Sequence, residues 1–178
     1  MMRTETTTTP PVLAVEDLRV SFQTDAGPIE AVHGISFHVS AGETVAIVGE
    51  SGSGKSQSMM AAMGLLPKNG QASGRILFHG DNLIGMKKAD LNRVRGDRIG
   101  MIFQEPMTSL DPLYTIGSQI MEPIIRHQRI GRTQARARAI EMLRLVRIPE
   151  PETRLDAYPN EMSGGQRQRV AIAMALAN

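Results

Sequence analysis

Eight consecutive residues, Gly49-Glu50-Ser51-Gly52-Ser53-Gly54-Lys55-Ser56, restrict this chain more than any other stretch. They fit the phosphate-loop pattern G-x-x-x-x-G-K-[ST]. Val45-Ala46-Ile47-Val48 just before them is a short apolar run that reads as a buried parallel strand. The stretch from Ser53 to Leu66 reads as the helix that follows. Strand, glycine loop and helix N-terminus together form an anion site. Glycines let the backbone turn tightly and aim several N–H groups at phosphates. Lys55 is expected to reach the terminal phosphates of a nucleotide, and the Ser56 hydroxyl to bind Mg²⁺. The alternative is a glycine-rich turn that fits the pattern by chance, and the flanking strand and helix weigh against it.

A chain of 178 residues is long enough for one domain with a real core, or a core plus a small subdomain. The net charge of +2 gives no bulk attraction to nucleic acid or a membrane surface. With no cysteine, disulfides, thiol catalysis and Cys-ligated zinc are excluded. His33, His38, His79 and His127 show no metal-ligand spacing and read as surface or strand-edge residues. Residues 1–11 form a polar, threonine-rich tail, expected to be disordered and without the apolar core of a secretion signal. The longest apolar run, Ala171 to Ala177, is too short to span a bilayer.

Along the chain, Val12 to Phe22 alternates around Leu18, Val20 and Phe22 and predicts a strand; Gln23 to Pro28 predicts a turn. Ile35, Phe37 and Val39 alternate with polar residues as a second strand. Further strands are expected at Ile76-Leu77-Phe78 and Ile99 to Phe103, with a short helix over Lys87 to Arg95. From Ile116 to Val146 the pattern is helical and arginine-rich, with Ala135, Ala139, Met142, Leu143 and Val146 at helical spacing. Thr133 is the expected N-cap, with Pro149 and Pro151 ending the helix. Arg132, Arg136, Arg138, Arg144 and Arg147 suggest either a polyanion site or a solvated helix face. The second is favoured, since no aromatic residues interleave. A last helix is expected from Gly164 onward, with Ser163 near its N-cap.

Two further motifs narrow the reading. Met162-Ser163-Gly164-Gly165-Gln166-Arg167-Gln168-Arg169 is a second hydroxyl-plus-glycine approach at a helix N-terminus, suited to a γ-phosphate. It resembles the L-S-G-G-Q signature of ATP-binding cassette (ABC) ATPases, with Met162 where the family usually has leucine. Between the motifs, Ile102-Phe103-Gln104-Glu105-Pro106-Met107-Thr108-Ser109-Leu110-Asp111-Pro112 resembles the family's Q-loop. There the glutamine contacts Mg²⁺ or the attacking water and links the core to a helical subdomain; without the other motifs it would be a glutamine in a strand-to-loop turn. Phe22 stands where the family has an aromatic residue that stacks on adenine, and equally reads as core. The Gln104 segment, the phosphate loop and the stretch from Tyr158 to Arg169 look most like ATPases of importers for dipeptides, oligopeptides, glutathione or nickel.

The resemblance covers about Val12 to Asn178 and implies an α/β fold. It consists of a P-loop nucleotide-binding core with an antiparallel β subdomain (12–108), an inserted α-helical subdomain (109–162), and the signature with its helix (163–178). It implies ATP and Mg²⁺ as cofactors. Nucleotide contacts fall to Phe22, Gly49, Glu50, Ser51, Gly52, Ser53, Gly54, Lys55 and Ser56, and metal contacts to Ser56 and Gln104. Ser163, Gly164, Gly165 and Gln166 act in trans on the nucleotide of a second ATPase subunit. Membrane permeases and, indirectly, a solute-binding protein are the implied partners, at the cytoplasmic face of the membrane; no nucleic-acid partner is implied. In the family a strand carrying an Asp and a catalytic Glu, then a loop His, follows the helix at Ala171 to Asn178. The chain therefore reads as the N-terminal portion of a longer ATPase, inactive in hydrolysis alone and incomplete at its C-terminus. Two other readings remain: an ABC ATPase acting on DNA or ribosomes, and a nucleotide-binding module without turnover.

Overall fold

The computed structural model describes residues 10–104 and 109–178. Residues 1–9 of the polar tail, and residues 105–108 of the Gln104 segment, lie outside the described residues. The chain divides between Leu91 and Asn92 into two compact units.

The first unit is built on β1 (Leu13–Thr24), β2 (Gly27–Val39), β3 (Gly70–Phe78) and β4 (Asp81–Asn82), an antiparallel sheet in the order β2-β1-β3-β4. β1 and β2 meet in a tight hairpin closed by the Thr24–Gly27 pair, with the Thr24 hydroxyl donating to the Gly27 carbonyl at 2.6 Å. β2 and β3 are therefore longer than the alternating stretches predicted from sequence. Val15, Leu18, Val20, Ile76 and Phe78 bury their side chains together with Val32. The step from Val15 to Leu18 breaks strict alternation because β1 shifts register there. Asp17 takes a positive φ of 44° and donates its backbone N–H to the Ser36 hydroxyl at 2.9 Å. Opposite this bulge Gly74 has φ 92°, and a Cβ there would run into the Asp17 carbonyl, so the site requires glycine.

Helix α1 (Lys55–Ala62) starts two residues later than predicted, at Lys55, and ends before Gly64. The apolar run Val45–Val48 does not form the predicted strand, and Ile99–Phe103 contributes only an isolated bridge between Ile99 and Arg95. A buried parallel strand needs hydrogen-bonded neighbours. No strand among the described residues pairs with 45–48, and Val48 is 88 % exposed.

Short helix α2 (Lys88–Val94) leads into the second unit, which is helical: α3 (Ile116–Gln128), α4 (Arg132–Leu145), α5 (Pro151–Arg154), a 3₁₀ turn (Pro159–Glu161) and α6 (Gly164–Ala175). Ile116, Ile120 and Ile124 recur every four residues on α3 and are fully buried against Ala135, Ala139, Met142 and Leu143 of α4 and Val170 and Ala173 of α6. Leu143→Ala is expected to cost about 2–5 kcal/mol, read as a lower denaturant midpoint for the helical unit; an unchanged midpoint would contradict this packing.

The helical stretch from Ile116 to Val146 is two helices. Arg129 adopts a left-handed φ of 54° as the C-cap of α3. Gly131, rather than Thr133, is the N-cap of α4, and Thr133 lies in its first turn. Pro151 does not end α4, which stops at Leu145; it opens α5, where its fixed φ suits a first helical position. The arginines belong to a solvated face that ties the unit together. Arg138 donates to the Ala177 carbonyl at 3.4 Å and Arg136 to the Glu152 carbonyl at 3.3 Å. Arg144 pairs with the Glu152 carboxylate.

Its own backbone N–H, then the Arg144 guanidinium, hold the Glu152 carboxyl below its usual 4.5. A depressed folded-state value stabilises above the unfolded one and is lost as pH falls through the folded one. A small stability loss is thus expected below about pH 4.5, and Glu152→Gln should remove that part of the pH dependence. Thermal melts at pH 7 and 3 read both.

Candidate nucleotide site

The glycine loop lies in the first unit. Gly52 and Gly54 hold positive φ angles of 83° and 86°. Gly54 is the N-cap of α1 and is buried, and a Cβ on it would strike the Ala31 carbonyl and approach Val32 Cγ2 to 2.9 Å. No other residue fits there. A glycine N-cap has no side chain, so no side-chain cap meets the first N–H groups of α1. Those groups, with the positive end of the helix dipole, are what a phosphate requires.

Lys55 folds back across the loop. Its ammonium donates to the carbonyls of Gly49 and Glu50, both at 2.7 Å, and reaches the Ser53 hydroxyl at 3.3 Å. The Ser53 N–H in turn donates to the Glu50 carbonyl at 3.2 Å. A Cβ on Gly49 would stand 2.6 Å from Ser53 Oγ, so the loop closes on itself at that glycine. A positive charge is thus held inside a ring of backbone on a partly exposed, water-accessible loop. Ser51 and Ser56 are exposed, and Ser56 sits in the first turn of α1 with its hydroxyl accessible to a cation. These residues fit a nucleotide phosphate with its Mg²⁺: cation, open N–H groups, hydroxyl and glycine clearance occur in one loop.

Sequence reasoning missed Ser58. It is 2 % exposed, and its hydroxyl donates to the Gly54 carbonyl at 3.0 Å, fixing the end of the loop to α1. The signal was a serine four residues after the loop's last glycine, placed to bond back one turn.

Phe22 lies near the end of β1, half-buried, opposite Gly70 of β3. A Cβ on Gly70 would be 2.8 Å from Cε1 and 3.2 Å from Cδ1 of the Phe22 ring, so that side of the ring lies against Gly70. Gln104 is exposed in a bend of the second unit. The same unit carries the signature, whose residues form a complete helix start. Ser163 is the N-cap of α6: its hydroxyl accepts from the Gln166 N–H at 3.3 Å, and Gln166 Oε1 accepts from the Ser163 N–H at 2.9 Å. Met162 is buried in the core of the helical unit, while Gly164 and Gly165 are exposed. A Cβ on Gly165 would meet nothing within 4 Å. The fold of one copy therefore leaves the space over Gly165 open to an approaching group. Among the described residues, no group of three or more His, Asp or Glu side chains could hold a metal, and no helix is long and apolar enough to cross a membrane.

A phosphate loop on a strand-rich unit and a capped Ser-Gly-Gly-Gln helix on a helical unit define a nucleotide-binding cassette. The family model described as "ABC transporter" matches residues 32–178. The chain belongs to the ABC transporter family. It is 52 % identical over 169 residues to the oligopeptide transport ATP-binding protein OppD of Mycobacterium tuberculosis, covering 94 % of this chain and 28 % of that protein. It is 50 % identical over 168 residues to OppD of Bacillus subtilis, covering 93 % of this chain and 47 % of that protein. The chain thus spans about half, or less, of the length of these relatives. Among solved structures, the dimeric post-hydrolysis state of an ATP-binding cassette bound to ADP and Pi superposes with a TM-score of 0.81 at 30 % identity, covering 93 % of this chain and 69 % of that one. The α/β ABC ATPase fold class expected from the motifs is the fold found.

Proposed function

We propose that this chain is the nucleotide-binding part of an ATPase subunit that energises a peptide-type ABC importer. The observation that carries the reading is Lys55, held across a glycine loop whose helix has an open N-terminus. ATP, when bound, supplies the phosphoanhydride whose hydrolysis drives the importer. Lys55 neutralises its terminal phosphates, the Ser56 hydroxyl and Gln104 serve Mg²⁺ or water, and the Gly49–Gly54 backbone takes the remaining oxygens. Phe22, half-buried at the end of β1, is the ring offered to adenine. The dimeric state of the solved cassette supports a head-to-tail pair, in which Ser163, Gly164 and Gly165 of one copy face the nucleotide of the other. Gln166 then acts by fixing Ser163, since its carboxamide already closes the cap. In this reading residues 12–108 are the core with its β subdomain, 109–162 the helical subdomain and 163–178 the signature segment.

The peptide class rests on the relatives, which are named for oligopeptide and dipeptide transport. It implies two membrane permeases, a solute-binding protein and a peripheral position at the cytoplasmic face. Disrupting the gene in its source cell should abolish uptake of a radiolabelled tripeptide, and a tagged copy should copurify with integral membrane subunits. Normal uptake, or copurification of RNA or DNA in place of membrane subunits, would overturn the transport reading.

A further inference from the structure

Between α1 and β3 the chain makes a tight turn over Pro67–Gly70, closed by the Gly70 N–H donating to the Pro67 carbonyl at 2.8 Å. The last two residues of this turn both reach β1. Gly70 opens β3 and is the Cα partner of Phe22. A Cβ on it would also stand 3.2 Å from Leu66 Cβ, so Gly70 sits between the Phe22 ring and Leu66 with no room for a side chain. Asn69 bonds both backbone groups of Gln23. The Gln23 N–H donates to the Asn69 carbonyl at 2.9 Å, and Asn69 Nδ2 donates to the Gln23 carbonyl at 3.0 Å. In an antiparallel ladder a hydrogen-bonded pair exchanges two N–H···O bonds. Here the second donor is the Asn69 side chain, while the Asn69 backbone bends into the turn. The carboxamide thus extends the β1–β3 ladder by one residue beyond its last strand pair, Phe22 with Gly70. Without that extension Phe22 would be the terminal pair of the ladder, where strands fray.

We propose that Asn69 is a positioning residue for the nucleotide base: by pairing with Gln23 it holds Phe22 at the end of β1, against Gly70, so that the ring is already in place when adenine arrives. Asn69 itself touches no part of the nucleotide. It removes in advance the freedom of Phe22 that stacking would otherwise have to remove on binding. This rests on the reading of Phe22 as the adenine residue above.

Inorganic tripolyphosphate carries the phosphate chain of ATP without the base, so titrating the chain with each magnesium complex separates the two contributions. Phe22→Ala should weaken MgATP at least about fivefold and leave magnesium tripolyphosphate within about twofold. Asn69→Ala should weaken MgATP at least about threefold, again with tripolyphosphate nearly unchanged. In the Phe22→Ala background Asn69→Ala should cost nothing further, since it acts through that ring. A merely structural role would lower the melting temperature and shift both ligands together or neither. Asn69→Asp keeps the size and the turn preference but sets a carboxylate against the Gln23 carbonyl in place of the donor. It should show the same selective loss, and it decides the matter if the alanine variant does not fold. Unchanged MgATP affinity in a folded Asn69 variant, an equal loss for both ligands, or a further loss in the Phe22→Ala background overturns the proposal. Two other results reach the reading beneath it. A Phe22→Ala chain that binds MgATP as the wild type does removes the adenine role of Phe22, and a wild-type chain that binds neither complex removes the phosphate site; the proposal falls with either.

Discussion

Lys55→Ala weakens MgATP binding about 100-fold. Hydrogen bonds to charged groups contribute about 1.5–3 kcal/mol each, and about 1.4 kcal/mol is a factor of ten in affinity, so losing about two phosphate contacts suffices. The loss is not an unfolding effect. The three bonds that Lys55 makes to Gly49, Glu50 and Ser53 lie on an exposed loop, where water replaces them at a cost of about 1 kcal/mol or less. The variant should keep its circular dichroism and nearly its melting temperature. Equilibrium dialysis against ATP with and without Mg²⁺ gives the affinity. Unchanged binding by the folded variant would sink the phosphate-loop assignment.

Gly165→Arg separates folding from pairing. A Cβ at Gly165 meets nothing within 4 Å; arginine is a better helix former than glycine, and at this first-turn position of α6 the positive end of the helix dipole offsets that gain. Stability should therefore stay within about 0.5 kcal/mol. If the signature meets the nucleotide of a second copy, an arginine side chain there fills the space the phosphates need. MgATP-dependent dimerisation, read by sedimentation velocity, should fall at least about tenfold, while MgATP binding by the single copy persists. Ser163→Arg should block pairing too, but it also removes the N-cap hydroxyl that accepts from Gln166, costing about 1 kcal/mol. The glycine variant is therefore the cleaner test. A Gly165→Arg chain that pairs like the wild type would remove the trans-acting role, and one that loses single-copy binding would make the signature act in cis.

The parts legible in the sequence are those whose physics is local. A glycine loop followed by Lys-Ser announces its own backbone needs, and positive φ at Gly52 and Gly54 meets them. Ser163 and Gln166, three residues apart, are enough to predict the cap that forms. The arginine spacing on α4 indicated a solvated face, and the pairs with Glu141 and Glu152 bear that out. What failed depended on partners distant in sequence or on backbone angles that leave no mark. Val45–Val48 has the composition of a buried strand, but composition cannot supply the neighbouring strands that would pair it. The bulge at Asp17 relies on Gly74 and Ser36 from two other strands. The end of α3, for which no signal was read, is set by Arg129 in a left-handed conformation that arginine rarely signals.

Calorimetric titration of the chain with MgATP decides whether the loop from Gly49 to Ser56 is a nucleotide phosphate site. Saturable binding at one site per chain is expected, weakened when Mg²⁺ is chelated and displaced by ADP. A chain that shows the far-ultraviolet signature of its sheet and helices, yet gives no saturable heat and no displacement, would contradict it.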